Sequence, residues 1–174
     1  LRFAGEDLPN LKALDTEGVV VYVGSFSKIF SPGLRLACMV FDRGLMEKIV
    51  VGTQATDVHT NIFAQIILAE FLKKYDIDAN IQKARALYKH RCQYMLDCMD
   101  ACFPEGVSYT RPDGGLFIWV TLPEGMDSSA LMLEATERHV AFVPGNAFMT
   151  DVDTPTNTLR LNYSTMPDDK IKEG

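Results

Sequence analysis

No run of apolar residues in this 174-residue sequence is long enough to span a bilayer, and its first residues do not read as a secretory signal. No cluster of lysine and arginine is present, and a formal net charge of -6 argues against a broad nucleic-acid surface. Histidine is scarce, at three residues, and cysteine stops at four. Four cysteines in a chain that is neither small nor loop-rich do not make a disulfide framework, so a reducing, cytoplasmic setting is expected. Cys98 and Cys102 have the spacing that chelates a metal on one helix face, but no histidine-rich corner accompanies them. They read as small buried hydrophobes, with no metal. An initiator methionine is missing as well: the chain opens at Leu1 and stops at Gly174 inside a helix-like pattern, as an excised fragment would.

What is present is an ordinary soluble globular composition, 47% hydrophobic and 23% charged, enough for one good core with room for a small second module. The informative stretch lies early. Residues 19–23, Val-Val-Val-Tyr-Val, are β-branched and aromatic and predict a buried strand that stops at Gly24. A single lysine, Lys28, follows between two serines, Ser27 and Ser31, and a Pro-Gly turn comes next. Arg35 stands seven positions after Lys28, at the start of a second apolar run over 34–41. Ser25 and Ser27 can donate hydrogen bonds, and the planar fork of an arginine grips phosphate, so the loop reads as an anion site. Lys28 then either adds charge to that site or, if desolvated, serves as an amine nucleophile toward a carbonyl. A Walker-type phosphate loop does not fit, because the position before the lysine is Ser27 rather than glycine.

The segment Ser-Phe-Ser-Lys-Ile-Phe-Ser-Pro-Gly-Leu-Arg-Leu closely resembles the lysine motif of pyridoxal-phosphate aminotransferases of fold type I, class I/II. That resemblance implies that Lys28 carries pyridoxal 5'-phosphate covalently, that Ser25 and Arg35 hold its phosphate, and that Ser27 sits beside the lysine. A cationic neighbour and partial burial would both favour the unprotonated amine such a role needs. One departure is Ala37, where the family usually has glycine. A second is the family's cofactor-facing strand, with its aspartate and tyrosine, which would precede Leu1.

Further along, residues 1–18 read as a loop with one turn of helix. Asp42 is a candidate N-cap for a helix carrying Leu45, Met46, Ile49 and Val50, and Thr60 for one whose apolar face is Phe63, Ile66, Ile67 and Phe71. By resemblance the connector around His59, Thr60 and Asn61 and the helix after it lie at a dimer interface. The longest periodic stretch spans 73–103, with an apolar stripe of Ile77, Ile81, Ala84, Tyr88, Cys92, Met95, Met99 and Cys102. Strands are expected at 107–110 and 116–121 around an Asp-Gly-Gly turn, then a helix from Asp127 to about His139 and a short strand over 140–143. Pro144 to Phe148 forms a turn that the family places near the substrate mouth. Arg160 lies in an alternating strand, so it can face a cleft while Leu159 and Leu161 face the core. The strand resembles the family's C-terminal arginine motif, which implies that Arg160 binds the α-carboxylate of an amino acid.

The fold expected is α/β. Residues 1–72 would be the end of the fold-type-I large-domain sheet, 73–103 a long joining helix, and 104–174 a small α+β domain. The function implied is transfer of an amino group between an amino acid and a 2-oxo acid, in a cytoplasmic homodimer with no membrane or nucleic-acid partner for these residues. The lysine motif most resembles the aminoadipate-type and broad-specificity branch. Two alternatives share the resemblance: a ligand-sensing domain of a transcription regulator, and a pyridoxal-phosphate β-lyase. The 174 residues alone are expected to fold but to be inactive, since the apolar strands near Lys28 ask for a sheet covered on both faces.

Overall fold

A computed structural model describes all 174 residues as two compact units, one of Glu6–Ala84 and the other of Leu1–Gly5 with Arg85–Gly174. No helix is long and apolar enough to cross a membrane.

In the Glu6–Ala84 unit a 3-10 turn, Leu11–Leu14, is capped by the Asn10 side chain, which accepts from Ala13 N at 2.8 Å. Asp15 then organises the approach to the first strand. Its carboxylate accepts from Lys12 Nζ at 2.8 Å and from the amides of Glu17, Val19 and Val20 at 3.1–3.2 Å. Strand β1, Tyr22–Ser25, pairs antiparallel with β2, Ala37–Val40, from Tyr22↔Val40 to Ser25↔Ala37. The strand therefore begins three residues later than its sequence pattern predicts and runs through Gly24. Both strands are exposed, Val23 at 62% and Val40 at 50%: residues apolar on both faces need two covering layers, and these 174 residues supply neither.

Asp42 caps a 3-10 turn, Arg43–Leu45, by accepting from Gly44 N at 2.8 Å, and the turn feeds helix α1, Met46–Asp57. Helix α2, Ile62–Lys74, is capped by Asn61, not Thr60; the Asn61 side chain accepts from Ala64 N at 3.1 Å. The buried stripe of α2 also differs from expectation. It is Ala64 and Leu68, continued by half-buried Phe71, whereas Phe63 is 72% exposed and Ile66 55%. The helix carries apolar residues around much of its surface, and the small Ala64 lets the neighbouring loop approach closely, so packing chose the stripe.

Helix α3, Ile77–Cys102, follows a break at Tyr75–Asp76, so the expected 73–103 helix is divided near its start. In the second unit its residues Cys92, Leu96 and Met99 are buried against Ile118, Val120, Leu122, Leu159 and Tyr163, with Tyr88 and Met95 alongside. Cys102, expected in this stripe, is exposed at the helix's last turn, and Cys98 is half-buried. Strands β3, Ser108–Tyr109, β4, Phe117–Thr121, β5, Val143–Pro144, and β6, Thr158–Asn162, form an antiparallel sheet in the order β3-β4-β6-β5.

Helix α4, Ser128–Glu137, starts at Asp127, whose side chain accepts from Ser129 N at 2.9 Å. It ends two residues before His139, which adopts φ 64° while Val140 N reaches back to Ala135 O at 2.9 Å; the histidine is the left-handed residue that stops the helix. The last helix, α5, Asp168–Glu173, is tied to α3 by His90–Asp168 at 2.7 Å, and Arg91 of α3 donates to Ser164 O in the segment that leads into it.

Leu1–Gly5 belongs to this same unit. Phe3 N and Ala4 N donate to Asp113 O at 2.9 and 3.0 Å, and Gly115 N donates to Leu1 O at 2.8 Å. A Cβ on Gly114 would lie 2.6 Å from Leu1 O and from Arg2 Cα, which is why the turn needs glycine there. Tyr163 closes the arrangement: fully buried, it donates to Gly114 O at 3.3 Å and meets Phe3 edge to face.

Candidate active site

The loop that bears Lys28 spans residues 26–36 and is fixed at both ends by the β1–β2 ladder, to which Phe26 N adds a further rung on Leu36 O at 3.0 Å. Two 3-10 turns, Phe26–Lys28 and Pro32–Leu34, make up most of it. Its apolar side chains turn inward: Phe26, Phe30 and Leu34 pack on Leu36, Ala64 and Leu68. Phe30 also meets Phe71 in a tilted ring pair at 4.6 Å, and Asn80 Nδ2 donates to Ile29 O at 2.9 Å. With those positions taken by the core, Lys28 points out of it.

Lys28 is exposed and enters none of the chain's ion pairs. The partial burial expected from the sequence is thus not supplied by these residues. Ser25 caps the first turn by accepting from Ser27 N at 3.2 Å, which leaves its hydroxyl hydrogen free to donate. Ser27 is half-buried inside the same turn. Arg35 closes the second turn in the left-handed region, φ 54° and ψ 44°, and Nη1 donates to Pro32 O at 3.1 Å. A non-glycine residue there costs about 1–2 kcal/mol, and such strain concentrates at functional sites. The remaining guanidinium donors of Arg35 are free for an anion. Ala37, the departure from the family glycine, is exposed and paired with Ser25, so the ladder accommodates it.

Arg160 belongs to the other unit. On β6 it sits opposite Trp119 of β4 and Val143 of β5, while Leu159 beside it is 4% exposed and Leu161 packs on the core. The alternation expected from the sequence is therefore realised. Its guanidinium lies over two rings, with Cζ 3.9 Å from the centroid of Phe117 and 4.7 Å from that of Phe148. The sequence placed the turn ending in Phe148 near the substrate mouth by resemblance and gave Phe117 no role. The period of two puts Phe117 and Trp119 on one face of their strand, and the cross-strand register, which pairs Trp119 with Arg160, brings the arginine to that face.

The pattern of the family described as Aminotransferase class I and II matches residues 2–174. The chain belongs to that family. Among its relatives in the aminotransferase family, Aromatic-amino-acid aminotransferase 1 of Thermococcus litoralis is 40% identical over the whole chain, which spans 42% of that protein. Kynurenine aminotransferase of Pyrococcus horikoshii, solved in complex with PMP, superposes with a TM-score of 0.94 at 43% identity, covering all of this chain and 43% of that one. The α-aminoadipate aminotransferase of Thermus thermophilus, complexed with N-(5'-phosphopyridoxyl)-L-leucine, gives 0.92 at 39% identity, covering 100% and 45%. The chain thus spans less than half the length of these aminotransferases. Mixed helix and sheet in an α/β arrangement is shared with them.

Proposed function

We propose that the protein carrying this chain transfers an amino group between an amino acid and a 2-oxo acid, with pyridoxal 5'-phosphate held at Lys28. The observation that carries the reading is the loop over 26–36, which buries Phe26, Phe30 and Leu34 and presents Lys28, Ser25 and Arg35 outward, in a chain of the aminotransferase family. The donor set fits the cofactor. Arg35 and the Ser25 hydroxyl offer charge-assisted and neutral donors to a phosphate, and the unpaired Lys28 amine suits a carbonyl carbon. Ser27 supports the loop through the amide that Ser25 caps.

When bound, pyridoxal phosphate supplies a conjugated ring that draws electrons away from the amino acid's Cα. Once the amino acid's own amine has taken its place on the cofactor carbon, the freed Lys28 Nζ would take the proton from that Cα and return a proton as general acid. Arg160 orients the amino acid through its carboxylate. In this reading residues 1–72 complete a larger cofactor-holding domain, 73–103 join it to a small domain, and 104–174 form most of that domain. The protein would work as a cytoplasmic homodimer. The aromatic, kynurenine and α-aminoadipate enzymes among its relatives support a broad-specificity or aminoadipate-type branch.

Borohydride reduction of the complete protein loaded with pyridoxal phosphate, followed by peptide mapping, should place the pyridoxyl group on Lys28. Label on Lys48 or Lys73 instead would overturn the assignment. In a product assay, 2-oxo acid marks transamination, whereas pyruvate with ammonia marks a β-lyase.

A further inference from the structure

We propose that Phe117 and Phe148 are positioning residues, which hold the Arg160 guanidinium by its faces and keep its donor edge free for a carboxylate. The proposal rests on the reading of Arg160 as the carboxylate anchor. Arg2, Arg111 and Arg91 of this unit have partners along their donor edges, in Asp113, Asp100 and Ser164 O, whereas Arg85 and Arg138 have none; the pair of rings is what sets Arg160 apart. Arg160 enters no ion pair. Its contacts are instead two aromatic rings, at 3.9 and 4.7 Å. A guanidinium is planar, with every N–H in the plane, so stacking on its faces leaves the whole fork available. The ring quadrupole attracts the cation meanwhile.

The rings are themselves held. Phe117 lies on β4, which pairs with β6 through five residues. Phe148 ends the 3-10 turn Gly145–Phe148 that follows β5, and Val143 of β5 pairs with Arg160 itself. Trp119 meets Phe148 edge to face at 5.3 Å, and Asn146 Nδ2 ties the turn to Val152 O at 2.7 Å. An arginine left to swing in solvent would lose rotamer freedom on gripping a ligand, and this one has lost much of it beforehand.

The test compares L-phenylalanine with 2-phenylethylamine, the same molecule without its carboxylate, by their dissociation constants from the complete holoenzyme. Phe117→Leu and Phe148→Leu should each weaken L-phenylalanine by about two- to five-fold and leave the amine unchanged. Phe148→Tyr should restore native binding. Phe148 is 46% exposed and Phe117 37%, so neither leucine removes a core residue. In an Arg160→Ala background, Phe148→Leu should add nothing, because its effect passes through the guanidinium. Equal weakening of both ligands, no weakening of either, or an effect that persists without Arg160 would overturn the positioning role. Failure of Arg160→Ala to reduce the preference for the carboxylate would refute the anchor reading itself.

Discussion

Phe30 tests whether the packing beneath the loop, rather than the loop's own chemistry, presents Lys28. Phe30 touches neither Lys28 nor Arg35 through any hydrogen bond, yet its ring meets Phe71 in a tilted pair and packs against Leu36, Ala64 and Leu68. Full burial would make Phe→Ala cost about 3–5 kcal/mol. Phe30 is half-buried, so roughly half of that, about 2 kcal/mol, is expected, including the ~0.5–1.5 kcal/mol of the ring pair. Only the loop between the two ends of the β1–β2 ladder need open to relieve the lost packing. About 2 kcal/mol lowers the ratio of ordered to open loop by roughly 30-fold, and apparent cofactor affinity falls with the competent fraction, by as much as that ratio only where the loop is mostly open before the cofactor binds. Phe30→Ala in the complete protein should therefore speed amide exchange over residues 26–36 and weaken pyridoxal phosphate by up to about thirty-fold. Phe30→Leu, which keeps apolar bulk and loses the ring pair, should do less. Hydrogen exchange with mass spectrometry and an absorbance titration read the two effects. Unchanged cofactor affinity alongside faster exchange would refute the reasoning, since the loop would then not need to be ordered to hold Lys28 in place.

Arg35→Ala should release cofactor far more readily, by about ten- to a hundred-fold for the loss of a charge-assisted contact. Retention equal to wild type on gel filtration would remove Arg35 from the phosphate site. Asp15 predicts an acid limb of stability. Lys12 first, then the amides of Val20, Val19 and Glu17, hold its carboxyl well below the ordinary carboxylate range, against the opposing effect of burial. A depressed value in the folded state means that the unfolded chain binds the proton more readily. The stabilisation is then complete above about pH 4 and fades as the pH falls below it. Melting temperature should drop more steeply with acid in the native protein than in Asp15→Asn; parallel curves would contradict this.

The sequence by itself determined the local pieces whose signals are local. Asp42 and Asp127 cap because a short carboxylate side chain reaches the amide two residues on. The Tyr88–Cys92–Met99 stripe of α3 is buried because helical period aligns it on one face. Arg160 alternates away from Leu159 and Leu161 because a strand has a period of two. The lysine loop, likewise, was legible as a contiguous run of residue types, while the absence of burial at Lys28 was not, since burial depends on what else surrounds a loop. Only tertiary structure decided which face of α2 is covered. Apolar residues lie on several of its sides, and the choice of Ala64 and Leu68 over Phe63 and Ile66 came from the shape of the loop packed against it. It also joined Leu1–Gly5 to a turn more than a hundred residues away, through backbone hydrogen bonds that carry no side-chain signature apart from Gly114. The two rings around Arg160 belong in the same class. Their residues come from β4 and from the turn after β5, and only the register of a sheet ordered β3-β4-β6-β5 brings them to one guanidinium.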